Sequence, residues 1–387
     1  MQMQRQALEA EAHKGISALQ RGDFATARDA FAAVTASGTA SPQAWLFLAQ
    51  ACEGLGDSAN STVALDQVLA ADPGNPFALL MKGDIFAGSA DDRAAVSFYR
   101  MGLRRTAELP QLPGDLPERA ARAQAAVSAA EARFEKQLND TLAERGIDTV
   151  PPRFAEALAI ASGKQPVYLQ QPTSFYFPGL PQQAWYPRET FPWVAHLEAA
   201  VPVMRAEIEQ VLADEQGLEP YVQEEAKRAS RGHSLLNDAR WSAFHLFKDG
   251  EPVEENARRC PQIMRLLELL PIPRIRRRSP MALISILKPG THIPPHHGML
   301  NTRLICHIPL VVPAGCRLRV GAETRDVVGG QAMIFDDSFE HEAWNDGDSA
   351  RAVLLFEIWR PEISENEKVA LTAMFEGVTG YDAPSDD

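Results

Sequence analysis

The sequence predicts a multidomain chain of the α plus β class: an N-terminal helical solenoid and, in the C-terminal third, a β-sandwich or jelly roll with flanking helices. Two patterns point there. Residue types recur with a period of 34 between residues 10 and 104. From residue 281 onward, short β-rich runs alternate with Gly, Pro, Asp and Asn. The 387 residues are enough for two or three separate cores, and 45% hydrophobic with 23% charged residues is an ordinary globular composition. A net charge of −13 argues against general binding to nucleic acid or anionic membranes.

The period is visible column by column. Ala10, Ala44 and Ala78 align, as do Gly15, Ala49 and Gly83. Ala30, Ala64 and Phe98 align and are followed by Phe31, Leu65 and Tyr99. Small residues at fixed helical positions let paired helices approach closely. Asp23, Asp57 and Asp91 form another column, the first two preceded by Gly22 and Gly56. A Gly-Asp pair ends one helix and opens the turn to the next. Three such helix-turn-helix units resemble the tetratricopeptide repeat, and Pro73 stands where that family often carries proline between repeats.

The rest of the chain follows in order. Residues 1–110 are assigned to the repeats and 111–150 to a connecting helix, since 117–146 are Ala-rich with charges at helical spacing. At residue 151 prolines and aromatics become frequent, and 151–370 are expected to form the second domain. Within it, 193–229 read as helical, and 281–287, 304–312, 316–320, 331–335 and 352–359 as strands. Residues 371–387 are expected to be an acidic tail. The four cysteines are scattered with no CxxC pair, which fits reduced thiols. No apolar signal core opens the sequence and no run of about 18 apolar residues occurs, so a cytoplasmic protein without a membrane span is expected.

Candidate chemistry sits in the β-rich third. Of nine histidines, His292, His296, His297 and His307 fall in one short span, and His341 lies beyond a meander of strands. In a jelly roll such distant segments converge, and one imidazole from each would seat a first-row metal. An iron(II) oxygenase triad adds a carboxylate two residues after the first histidine, but that position holds Gly298. The residues alone therefore leave the metal open.

The stretch from Ser285 to Trp359, with THIPPHHG, RLICHIPL, FEHEAWN and RAVLLFEIW in order, closely resembles the aspartyl/asparaginyl β-hydroxylase family. The resemblance extends over about residues 165–365. It implies a double-stranded β-helix, iron held by two histidines with glycine in the carboxylate position, and 2-oxoglutarate and dioxygen as co-reactants. Carried over by position, His296 and His341 are the iron ligands and Arg351 binds the distal carboxylate of 2-oxoglutarate. Ser285, His307 and Arg303 complete the cosubstrate pocket. Arginine suits a dicarboxylate because its fork pairs bidentately. One departure stands out: Ile305 occupies a position where well-known members carry a second arginine.

Other polar residues have plainer readings. His292 is read as simply a polar or a turn residue, and His297 as facing away from His296 in a strand. Asp336 and Asp337 would cap the turn before His341 or orient its ring, and Glu340 and Glu342 would face away from the metal. Cys306 reads as a small buried hydrophobe. Arg274, Arg276, Arg277 and Arg278 form a solvated face or line the site mouth. Arg351 itself would, in the plainest reading, pair with Asp346 or Asp348 at the surface. The expected function is hydroxylation of an unactivated carbon in a peptide or protein recruited by the repeats, specifically the β-carbon of Asp/Asn-type side chains. A lipid acyl chain or small metabolite is the alternative substrate, and an inactive repeat scaffold the alternative function.

Overall fold

The computed structural model describes residues 2–147, 149–224 and 234–382, which divide into two compact units, Met1–Gln165 and Pro166–Asp387. The first unit is helical. α1 (Gln2–Gln20) pairs with α2 (Phe24–Thr35), α3 (Pro42–Gly54) with α4 (Ser58–Ala71), and α5 (Pro76–Gly88) with α6 (Asp92–Ala107). α7 (Leu116–Glu144) and α8 (Pro152–Ala161) follow.

The aligned columns are the contacts between paired helices. A Cβ at Gly15 would lie 2.7 Å from Phe31, and one at Gly83 would lie 2.4 Å from Tyr99, so only glycine lets those rings in. In the middle repeat, Ala49 and Leu65 are fully buried. Asp23, Asp57 and Asp91 each accept a hydrogen bond from a backbone N–H of the following helix, at Thr26, Asn60 and Ala94. Each such cap is worth about 1 kcal/mol. Gly22 and Gly56 adopt positive φ, and where the third repeat lacks glycine, Ala90 takes φ 59° instead.

α8 belongs to the first unit, so the chain divides at Gln165 rather than at residue 151, where composition changes. The second unit begins with β1 (Trp185–Tyr186), α9 (Val194–Ala199) and α10 (Val201–Asp214). The helical reading of 193–229 fails over the described residues from Glu215 to Glu224. Glu215 turns left-handed at φ 52°, Gly217 follows at φ 80°, and the chain enters β2 (Glu219–Pro220). Residues 225–233 lie outside the described set. β3 (Trp241–Lys248), β4 (Glu251–Pro252), α11 (Glu254–Arg259) and α12 (Pro261–Glu268) come next.

The remaining strands are β5 (Ala282–Leu287), β6 (Thr291–His296), β7 (Arg303–Val311), β8 (Cys316–Val320), β9 (Glu323–Asp326), β10 (Met333–Phe335), β11 (His341–Asn345) and β12 (Arg351–Trp359). They form two antiparallel sheets. The larger runs β1-β10-β7-β12-β5-β3-β2, with β4 on β3, and the smaller runs β6-β11-β8-β9. α13 (Glu365–Asp382) closes the described chain, so most of 371–387 is helix rather than acidic tail. Leu371 and Phe375, one turn apart, are buried against Ile275 and Leu300 and hold it down. Residues 383–387 lie outside the described set.

Side-chain alternation gives the larger sheet two apolar faces. Leu354, Phe356 and Ile308 pack with Met204, Ile208, Ile263 and Leu267 of the covering helices. On the opposite face, Trp241, Leu287 and Phe335 share a core with Ile293, Leu318 and Ala343 of the smaller sheet. Arg351, Leu355 and Glu357 of β12 line the cavity on this side. Among the described residues, no helix is long and apolar enough to cross a membrane.

Candidate active site

The antiparallel ladder between β6 and β11 sets His341 directly opposite His296. Their ring centroids are 4.0 Å apart. His296 Nδ1 lies 2.8 Å from the Pro294 carbonyl and His341 Nδ1 lies 3.0 Å from the Phe339 carbonyl. A carbonyl only accepts, so each Nδ1 carries the proton and each basic nitrogen is Nε2. Burial, and then the neighbouring His296, hold the His341 imidazole well below the usual histidine range. That keeps it neutral, the form a metal ligand needs.

Gly298 follows two residues after His296. A Cβ there would lie 2.1 Å from Asp337 Oδ2, so the space a longer side chain would occupy is filled by the Asp337 carboxylate. Among the described residues, no group of three or more His, Cys, Asp or Glu is placed to hold a metal. The donor set is thus two imidazoles. It fits a first-row ion whose remaining positions are taken by small molecules.

These residues line a cavity of about 520 Å³ between the two sheets. Arg351 enters it from the start of β12, which β5 and β7 flank. Arg351 is 1% exposed, and its Nε and Nη1 have no hydrogen-bond partner. Burial pulls the guanidinium down to about 10. Asp346, one of the two surface partners weighed for it, is bound instead by Arg317 at 2.6 Å. Ser285 and His307 line the same cavity. Ser285 Oγ accepts from Trp241 Nε1 at 3.2 Å, and Trp241 stacks on Tyr221 with centroids 4.0 Å apart. His307 packs edge-on against Phe335, and burial with Arg351 nearby pulls its imidazole down to about 3, so it is neutral.

Arg303 lines the cavity too, but Nη1 is committed to Glu357 and to Ser279 Oγ, at 3.0 Å from the hydroxyl. His297 also lines the cavity instead of facing away. β6 ends at His296, so strand alternation stops applying one residue too early for that reading. His292 stands in strand β6 rather than in a turn, and Asp337 lines the cavity instead of capping the turn. His292 is exposed, 2.8 Å from Glu342 and stacked on Trp344. Glu340 and Glu342 bind Arg319. Asp336 caps the turn through Ser338 N at 2.9 Å, and Cys306 is fully buried. Arg274, Arg276 and Arg277 are exposed, and none of the run lines the cavity. Residues that sequence reasoning passed over are Trp241, Tyr221 and Glu357. Only Glu357 left a signal, a lone charge inside the apolar run of β12.

A match to a known family falls within this unit. Residues 198–361 match the family model described as Aspartyl/Asparaginyl beta-hydroxylase. The chain is 35% identical over 200 residues to human aspartyl/asparaginyl beta-hydroxylase, covering 51% of this chain and 25% of that protein. It is 35% identical over 179 residues to the ornithine lipid ester-linked acyl 2-hydroxylase of Rhizobium tropici, covering 46% of this chain and 60% of that one. The chain thus spans about a quarter of the mammalian relative and under two thirds of the bacterial one. Among solved structures it is similar to the Yersinia enterocolitica translocator chaperone SycD, at 15% identity over 34% of this chain and 96% of that chain, with a TM-score of 0.30. The segment that carries the paired histidines lies within residues 198–361, the part of the chain that matches the aspartyl/asparaginyl beta-hydroxylase family model.

Proposed function

We propose that the second unit is an iron(II)- and 2-oxoglutarate-dependent dioxygenase, built as a double-stranded β-helix, that hydroxylates an unactivated carbon. The observation that carries this reading is Arg351: a fully buried guanidinium with two unpartnered nitrogens, Nε and Nη1, in the cavity that holds the paired histidines. A buried cation without a partner is costly, and an anion delivered to the cavity relieves it. His296 and His341 would hold the metal. Arg351 and Ser285 would take the distal carboxylate of 2-oxoglutarate, with Trp241 fixing the Ser285 hydroxyl. Neutral His307 offers hydrogen bonding without adding a second charge beside Arg351. The iron and 2-oxoglutarate, when bound, would supply the electrons that activate dioxygen. The stacked Tyr221 and Trp241 form an apolar wall that limits water.

The human relative's name points to Asp or Asn β-carbons in proteins, with the helical repeats recruiting the peptide along their surface. A lipid acyl chain is the second reading. It is favoured by Ile305 and by the apolar Val222, Met281, Met299 and Leu355 in the cavity wall. Four buried free thiols suit a reducing cytoplasm. Calorimetric titration of the iron-loaded protein with 2-oxoglutarate under nitrogen tests the central claim. Arg351→Ala is expected to weaken binding at least 100-fold while iron binding persists. Unchanged affinity would remove the cosubstrate assignment.

A further inference from the structure

The cavity carries two arginines, and their circumstances differ. Arg351 has unpartnered N–H groups, as described. Arg303 stands on β7 facing Trp359 in the register of β12, at the far end of that strand from Arg351. There its Nη1 donates to Glu357 and lies 3.0 Å from Ser279 Oγ, while Ser279 Oγ donates to the second Glu357 oxygen. Glu357 is 3% exposed. Both of its oxygens are engaged, and Arg303 and Glu357 neutralise each other within the wall. Asp337 is the other carboxylate lining this cavity. Among the described residues lining the cavity, the Arg, Lys, Asp and Glu side chains are Arg303, Arg351, Asp337 and Glu357. Among the described residues, the Arg351 end therefore presents an unpaired cation, and the cation at the Arg303 end is already paired with Glu357.

We infer that Arg303 and Glu357 set the specificity of the substrate end, closing it to carboxylates and leaving it open to an uncharged, largely aliphatic group. A substrate carboxylate entering beside Met281, Ile305 and Leu355 would lose its water and meet Glu357 and Asp337 rather than a free guanidinium. An aliphatic chain or a side-chain amide meets apolar wall and incurs no such cost. Ile305 reinforces this. It projects from β7 two residues after Arg303, into the same cavity, where a second cation would be needed. This inference rests on the proposed function for its orientation of the cavity, with Arg351 taking the cosubstrate.

The test uses the full chain and two matched probes, hexanamide and hexanoate, titrated by ligand-observed NMR with 2-oxoglutarate at saturation. The same titrations on Arg351→Met, without 2-oxoglutarate, keep hexanoate from reporting the cosubstrate end. The wild-type chain should bind hexanamide at least ten-fold more tightly than hexanoate, and Arg351→Met should keep that order. Glu357→Gln frees the Arg303 charge and should tighten hexanoate at least ten-fold. Adding Arg303→Met to Glu357→Gln should restore the wild-type order. Hexanoate as the tighter ligand of the wild type, no binding of hexanamide, or an unchanged ratio in a folded Glu357→Gln chain would each overturn the inference. The wild-type ratio needs no substitution, so it decides even where Glu357→Gln fails to fold. Loss of 2-oxoglutarate binding by the wild type would sink the proposed function alone, and the Arg351→Met ratio would still judge this one.

Discussion

Strand β12 is bracketed by two arginines that could hardly be treated more differently. Arg360, just past its end, is fully buried and saturated. It donates to Asp336 at 2.6 Å, to the carbonyls of Pro181 at 3.0 Å and Asn301 at 3.3 Å, to Glu362 at 3.3 Å and to the Tyr186 hydroxyl. Arg351, at its beginning, is equally buried, and Nε and Nη1 donate to nothing. Both charges were taken out of water at similar cost. One is compensated by the fold and so belongs to the architecture. The other is not compensated by the fold, and under the proposed function it meets the cosubstrate's carboxylate.

Substitution can break this contrast. Arg360→Met strands the fully buried Asp336 carboxylate, and the second unit should lose about 3–5 kcal/mol, a fall in melting midpoint on the order of 10 °C. A midpoint unchanged by calorimetry would erase the difference between the two sites. Arg351→Met should do the reverse and stabilise the unliganded chain by about 1–3 kcal/mol, because an uncompensated cation is replaced by an apolar chain of similar length. Millimolar 2-oxoglutarate should then raise the wild-type midpoint and leave the variant's alone. An Arg351→Met chain that melts below the wild type would mean that the guanidinium is structural after all. Arg240 provides the surface reference: it pairs with Asp238 but its side chain is 59% exposed. Arg240→Ala should not move the midpoint measurably.

What could be read in the sequence was local. The repeat columns are contacts within one helical hairpin, and an aspartate cap acts across three residues, so Gly15, Phe31 and Asp23 announce themselves without tertiary knowledge. Ala90 shows the limit of that reading. It takes the left-handed turn its repeat-mates give to glycine. Ala90→Gly should therefore add about 0.5–1 kcal/mol to the first unit, measured by urea unfolding. In the second unit β3 went unread because nearly every residue from Trp241 to Phe247 is buried, which leaves no alternation to see. The helix after residue 193 was read too long because a single left-handed residue, Glu215, ends it. His297 was misplaced because its direction depends on where β6 stops. The pairing of Arg303 with Glu357 joins residues 54 apart in sequence, which no periodicity encodes.

The acceptors that fix the two histidine rings are the main-chain oxygens of Pro294 and Phe339. Every amino acid carries that oxygen, so no substitution at either position deletes it. A histidine pair oriented by side-chain carboxylates could lose its orientation one mutation at a time, whereas the orientation of this pair is inherited with the backbone itself. The walls around Ile305, Leu355 and Glu357 can therefore drift toward new substrates while tautomer and ring plane stay constant. Under the proposed function, chemistry and selectivity would then be encoded in separate parts of the molecule, and evolution could revise the second without renegotiating the first.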